Sequence, residues 1–600
     1  MLKPQQNALR LLVSLDGFWS FRRDPKGVGE AEGWANGLAG EYELAVPGSW
    51  NEQATELEQF FGRGWYQRSF FVPAGWAEAG VVLHVGSAQN HARVWVNGRL
   101  AGGHRGGCLP FCCALDDLLI PGGRNLLVIE VDGSMNPWDL PAARIAANAP
   151  REGFHNSNPA ITYDFFPYCG IARPVSLQVT PTRARLTTVT VDSAVDLAAG
   201  MADVTVIVDH KQAGAAEVVV EIEGQSVVAV ASGSDRAAAR FKLAGIRLWE
   251  VGAPQLYTAG ISLRAGRETV DYYEQTFGLR RVEVTGEQLL LNGRPVFLKG
   301  FGKHEDFPVV GRGLSLPVVV KDYDLMRWIG ANSFRTSHYP YAEEWYEFAD
   351  RHGILVIGET PLVGLCQRLF ESADVLERAR GVIGEMIARD RHHPSVIMWC
   401  VANEPWIEST DGEVFIAKLL AHARQIDGSR LVTYAAHMEP AHNAPCADCD
   451  IVCVNKYYGW YELPGDIAAG TARLGEMLDE FRAAFGKPVL FSEFGADAVP
   501  GLHALPTVMF SEEFQAEIIV AQIREARRRP WVVGTHVWAF SDFKTPQSIT
   551  RVARNHKGVF TRERAPKMAA HAIHKLWAGG ETMPPEPGKK TIALPLLPLQ

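Results

Sequence analysis

Six hundred residues, 47% of them hydrophobic, exceed what one core can use, so the chain reads as two to four globular domains and not as a disordered polymer. A balance of 59 basic against 68 acidic residues, net charge -9 and a pI near 6.1, leaves no basic footprint for nucleic acid, so an anionic ligand has to be held locally. No apolar stretch reaches membrane-spanning length, and Met1 to Pro4 run into Leu15-Asp16-Gly17-Phe18-Trp19 without an apolar leader core, so no membrane partner and a cytoplasmic address are expected.

From the N-terminus to about residue 180 the pattern is one of short alternating strands: Trp65 to Val72, Val81 to Val85, Ala92 to Val96 and Asn125 to Val131. Asn97-Gly98 is a type I′ turn signal that sends the chain into a return strand from Arg99. With Gly/Pro punctuation and no helical periodicity, residues 1–180 are expected to form a β-sandwich of the jelly-roll kind. Within it, Tyr163-Asp164-Phe165-Phe166-Pro167-Tyr168 sets one acid among four aromatics, either an exposed loop carboxylate or one carried into a neighbouring site.

Strands at Thr187 to Val191, Val204 to Val208, Val218 to Ile222 and Tyr257 to Leu263 predict an immunoglobulin-like β-sandwich over 181–276, without a titratable cluster. After Phe277-Gly278-Leu279-Arg280 strand-like runs alternate with helical periodicity, as in Val382-Ile383-Met386-Ile387 and Phe415-Ile416-Leu419-Leu420. The runs begin at Val296, Ser333, Ile354, Val396, Leu431, Ile451, Val489 and Thr535, and eight βα units over 277–580 predict a catalytic (β/α)8 TIM barrel. Residues 581–600, rich in Pro and Lys with an apolar end at Leu594 to Leu599, read as a C-terminal tail.

The carboxyl ends of barrel strands line the active site in this fold. The fourth run, Val396 to Cys400, leads into Val401-Ala402-Asn403-Glu404-Pro405, and the seventh ends Ser492-Glu493-Phe494-Gly495. Two glutamates opening on one face are suited to a glycosidic bond, Glu404 as acid/base and Glu493 as nucleophile. A separation of about 5–5.5 Å would mean retention of configuration. Their labour divides only if Glu404 is protonated near neutrality while Glu493 stays ionised. Nine cysteines, odd and few, argue against a disulfide framework. Cys446-x-x-Cys449 with Cys453 lacks a second pair at zinc spacing, so no metal is expected.

Asn403-Glu404-Pro405 and Ser492-Glu493-Phe494-Gly495, behind a jelly roll and an immunoglobulin-like domain, resemble glycoside hydrolase family two over nearly the whole chain. Arg551-Val552-Ala553-Arg554-Asn555-His556-Lys557 resembles the segment that in the family's β-glucuronidases carries an Asn-x-Lys grip on the sugar's C6 carboxylate. Independently, i and i+2 of an extended segment face the same way, which sets the Asn555 amide beside the Lys557 ammonium. The resemblance further implies sugar contacts from Asp164, His338, Asn403, Asn455, Tyr457, Tyr461, Trp538 and Arg551, with Tyr457 orienting Glu493.

The implied activity is a retaining exo-β-glucuronidase acting on terminal β-D-glucuronides, without metal or organic cofactor, as a homo-oligomer such as a tetramer. Three rivals are a β-galacturonidase sharing the C6 carboxylate, a β-galactosidase that would leave Asn555 and Lys557 without a purpose, and a non-catalytic sugar-binding protein. Two departures stand out: Phe494 replaces the tyrosine of many relatives, and Thr360 to Cys366 is short where some members carry a long loop, which predicts an open mouth.

Overall fold

The computed structural model describes residues 1–142, 157–211, 216–230 and 235–579; the tail expected at 581–600 lies outside them. The first sandwich packs a six-stranded antiparallel sheet, with Arg63–Val72 and Gly123–Asp132 at its centre, on a four-stranded one containing Gly80–Val85 and Val175–Thr180. Alternation along these strands sends Trp19, Phe21, Tyr66, Val81 and Leu83 into one core. The Asn97-Gly98 turn has φ of 51° and 77°, the pair of positive values that a type I′ hairpin requires. The second sandwich sets three strands against four and buries a stripe of Val, Ala and Ile side chains.

Eight parallel strands close the barrel: β1 Leu298–Gly302, β2 Ser333–Arg335, β3 Leu355–Glu359, β4 Val396–Asn403, β5 Leu431–Ala436, β6 Val452–Asn455, β7 Val489–Glu493 and β8 Val532–Trp538. Register from Leu298↔Gly534 to Gly302↔Trp538 joins β1 to β8 and completes the circle. All eight residues of β4 are buried, which is why it reads as a continuous apolar run and not as an alternation. Helices such as Ala373–Asp390, whose Val375, Ala379, Ile383 and Met386 are buried, cover the strands with one apolar face. Ser372 caps that helix by accepting from the Val375 N–H.

One element is absent from the strand pattern read above. Val282–Thr285, Gln288–Leu291 and Arg294–Pro295 form a small antiparallel sheet. Its Leu289 and Leu291 pack with Leu298, Leu355, Ile357 and Met398 and so close the amino-terminal end of the barrel. At the opposite end the first sandwich docks on the strand ends: Ser157–Asn158 pairs antiparallel with Gln547–Ser548, and the Phe166 N–H donates to the Lys544 carbonyl at 3.0 Å. The segment around Asp164 is thereby carried to the barrel mouth. No helix among the described residues is long and apolar enough to cross a membrane.

Candidate active site

Glu404 follows the last residue of β4 with φ of 48°, a left-handed conformation that costs a non-glycine residue about 1–2 kcal/mol. Its N–H donates to the Ala435 carbonyl of β5 at 2.9 Å, which ties the turn to the barrel. The Asn455 amide, ending β6, donates to Glu404 Oε1 at 2.9 Å and to Asn403 Oδ1 at 3.1 Å, and its oxygen accepts from Ser492 Oγ at 2.7 Å. A single side chain thus links the ends of β4, β6 and β7.

Glu493, the last residue of β7, is 3% exposed. Its Oε1 accepts from Arg335 Nη2 and its Oε2 from the Tyr457 hydroxyl at 2.8 Å. The other Arg335 nitrogen donates to Glu359, so one fully buried guanidinium serves two carboxylates. His338 Nδ1 lies 2.7 Å from Glu359 Oε1 and its Nε2 3.7 Å from Glu493 Oε1, while its ring stacks on Trp538 at 4.9 Å. Sequence reasoning singled out neither Arg335 nor Glu359, although both end barrel strands at the rim that drew attention to the two glutamates.

Burial pushes Glu404 above the usual carboxylate range, opposed by the Asn455 hydrogen bond and the charges of His338 and Arg335. Burial raises Glu493 as well, against Arg335 and His338, and the Glu404 charge adds to the rise. Glu493 faces a guanidinium and a phenol donor whereas Glu404 receives one amide donor, so the surroundings favour the ionised form more strongly at Glu493 than at Glu404. Burial would lift Glu359 too, but Arg335 and His338 outweigh it and hold Glu359 ionised.

A second polar cluster lies beyond Tyr457. Lys557, 1% exposed, donates from Nζ to Asp497 Oδ2 at 2.5 Å and to the Tyr461 hydroxyl at 2.9 Å. Arg551 donates to the same hydroxyl at 2.9 Å and grips Asp164 through Nε and Nη2, the latter at 2.6 Å. Asn555 donates to Asp164 Oδ2 at 2.8 Å and accepts from the Lys557 N–H at 2.9 Å. Asp164, on the first sandwich, thus meets Arg551 and Asn555 of the barrel. Burial would raise Asp497, but Lys557 and Arg551 hold it below the carboxylate range. Asp497 went unnoticed in the sequence, where a loop acid four positions past Glu493 carries no signal of its own. The rings of Tyr457 and Tyr461 meet edge to face at 5.3 Å, so one wall runs from Glu493 to the Lys557 ammonium.

Neither sequence departure disturbs these contacts. Phe494 is fully buried, stacked on Phe491 at 4.3 Å, away from the polar groups of the cleft. Phe494→Tyr is therefore expected to change turnover less than about threefold while costing about 1–3 kcal/mol for a buried hydroxyl, read by steady-state kinetics alongside denaturant unfolding. Thr360 to Leu365 are buried and lie along β4, the Leu362 carbonyl accepting from the Asn403 N–H and the Gly364 N–H donating to the Asn403 carbonyl. Cys446, Cys449 and Cys453 are buried, and among the described residues no three His, Cys, Asp or Glu side chains converge as metal ligands.

Comparison with known proteins matches residues 282–580 to the TIM barrel domain of glycosyl hydrolases family 2, residues 12–181 to that family's sugar binding domain and residues 175–280 to glycosyl hydrolases family 2. A curated protein of Paenibacillus borealis named beta-glucuronidase is 36% identical over 96% of this chain and 98% of its own length. The structure of Bifidobacterium dentium beta-glucuronidase complexed with coumarin-3-O-glucuronide superposes with a TM-score of 0.91 at 36% identity, covering 96% of this chain and 99% of that one. The β-glucuronidase of Ruminococcus gnavus in complex with D-glucuronic acid gives 0.87 at 36% identity, with coverage of 96% and 99%.

Proposed function

The chain belongs to glycoside hydrolase family 2, and from that premise we propose that it is a retaining exo-β-glucuronidase that releases D-glucuronic acid from terminal β-D-glucuronides. The observation that carries the sugar assignment is the pair of cations, buried Lys557 and half-buried Arg551, joined through the Tyr461 hydroxyl and set along the wall that leads from Glu493. A C6 carboxylate can take charge-assisted bonds there that a neutral hydroxymethyl cannot. The proposal is supported by the names and ligands of the similar proteins described above.

In this reading Glu404, in its protonated form, donates its proton to the glycosidic oxygen as Glu493 attacks the anomeric carbon, and the aglycone leaves as an alcohol. A covalent glycosyl ester on Glu493 results. Ionised Glu404 then takes a proton from water, whose oxygen displaces Glu493 and restores both groups. His338 and Trp538 supply a stacked surface beside the nucleophile, and Asn403 and Asn455 fix the acid.

The test is hydrolysis of aryl β-D-glucuronide, β-D-galacturonide and β-D-galactoside side by side, with the first product anomer read by NMR. A strong glucuronide preference with β-anomer released first supports the proposal. A galacturonide preference would overturn the sugar assignment, and an α-anomer the retaining mechanism.

The pH profile carries a second expectation. Activity falls as pH rises through the pKa of the acid, and the Asn455 amide stabilises the ionised form of Glu404. Asn455→Ala is therefore expected to move the basic limb of kcat/KM to higher pH, alongside a lower maximum. A limb that stays put or moves to lower pH would place the acid elsewhere. The same reading includes a homo-oligomer such as a tetramer, against which a single sedimenting species at the chain mass of 66.0 kDa would count.

A further inference from the structure

At the barrel end opposite the two glutamates, a polar cavity of about 240 Å³ lies where the immunoglobulin-like sandwich meets the loops that enter β4 and β5. Four arginines line it against one carboxylate, Asp192. Three of the four are neutralised: Arg391 by Asp192 at 2.6 Å, Arg430 by Asp427 at 2.9 Å and Arg281 by Glu283 at 2.6 Å. Arg280 is different. It donates to the carbonyls of Pro394 and Val396, both at 2.5 Å, and among the described residues it has no carboxylate within 4.0 Å.

Groups on the cavity wall feel this excess of arginines. His392, 9% exposed and on the cavity wall, has a buried Nδ1 without a hydrogen-bond partner. Burial lowers Arg280 to about 9, the Arg430 charge adding to the fall while the charges of Asp427 and Asp350 oppose it, and burial lowers His392 to about 3, with His393, Arg391 and Arg430 adding. A partly buried charge without a carboxylate partner is costly, and a protein relieves it with a counter-ion or by losing the charge. A guanidinium fork matches the oxygens of a tetrahedral oxyanion.

We infer that this cavity binds a small divalent oxyanion of the phosphate class, with Arg280 as the unpaired cation that draws it and the Arg391 and Arg430 field reinforcing it. The polar walls disfavour an apolar ligand, and the cationic excess disfavours a metal ion. The bound anion ties the Ser193 strand to the loops before β4 and β5 and so stabilises the seat of the second sandwich on the barrel. Inorganic phosphate and a phosphomonoester share the required chemistry.

The experiment follows thermal unfolding of the full chain in sodium phosphate and in sodium chloride at equal ionic strength, with calorimetric titration of phosphate into the wild type. The expected result is a dose-dependent rise in the apparent midpoint of about 2–4 °C and a saturable heat. Ser193→Asp puts a carboxylate on the cavity wall, so it is expected to raise the midpoint in chloride and cancel the phosphate effect. Lys557→Ala, at the other end of the barrel, is expected to keep the effect. Glycerol 3-phosphate matching inorganic phosphate marks a site open to monoesters, and a smaller rise marks the free ion as the ligand. Equal midpoints in the two salts without titration heat overturn the inference. So does a phosphate effect that survives Ser193→Asp, or one abolished by Lys557→Ala, which would place the ion in the active-site cluster.

Discussion

Glu493→Gln is expected to lower kcat on an aryl β-D-glucuronide by about 10,000-fold or more while the protein folds and still binds the sugar. The amide is nearly isosteric with the carboxylate but cannot form the glycosyl ester. Its oxygen can still accept from Arg335 while its NH2 donates to the Tyr457 hydroxyl oxygen, and Arg335 keeps Glu359 as an ionised partner, so the buried guanidinium is not stranded. The outcome is read as turnover together with calorimetric binding of glucuronic acid. Loss of turnover with binding retained separates an enzyme from a sugar-binding protein built on the same frame. A variant within tenfold of wild type would remove Glu493 from the chemistry. Glu493→Gly adds a sharper readout, because azide can enter the vacated space and attack the anomeric carbon directly. One displacement instead of two gives the α-glycosyl azide, and a β-azide would point to a nucleophile on the other face.

The barrel strands could be read from sequence because strands buried on both faces leave short, continuous apolar runs, as Val396 to Cys400 does. Their ends were less sharp: the run that begins at Val296 is a strand from Leu298 to Gly302, because Val296 still donates its N–H to the Leu289 carbonyl of the amino-terminal sheet. That sheet escaped notice because Gln288 to Leu291 and its neighbours resemble one more approach to the barrel. At the active site, a glutamate at a strand end announces a rim position, but not which partner it meets across the barrel. Arg335 and Glu359 occupy such positions and act on Glu493 only after eight strands have closed. The contact of Asp164 with Arg551 joins positions 387 apart in sequence and depends on two domains docking. A local pattern can nominate such an acid but cannot supply its partner.

Lys557→Ala is expected to cut kcat/KM for the glucuronide by about 100-fold or more and to alter that for the galactoside by less than about threefold. The lost ammonium is only part of the effect. Asp497 is held ionised by Lys557, with Arg551 further off at 4.0 Å, and removing the lysine leaves a buried carboxylate facing the place proposed for the substrate's own. Deprived of that partner, Asp497 is governed more by its burial, and its pKa rises toward the assay range. The variant's residual glucuronide activity should therefore increase as pH falls and Asp497 takes up a proton. The neutral galactoside should show no such rise beyond the wild-type profile. Adding Asp497→Asn to Lys557→Ala removes the stranded charge, so the double variant should be more active on the glucuronide than Lys557→Ala alone and should lose the extra pH dependence. Equal losses on the glucuronide and the galactoside would instead show that Lys557 supports the fold of the cleft and does not select the sugar.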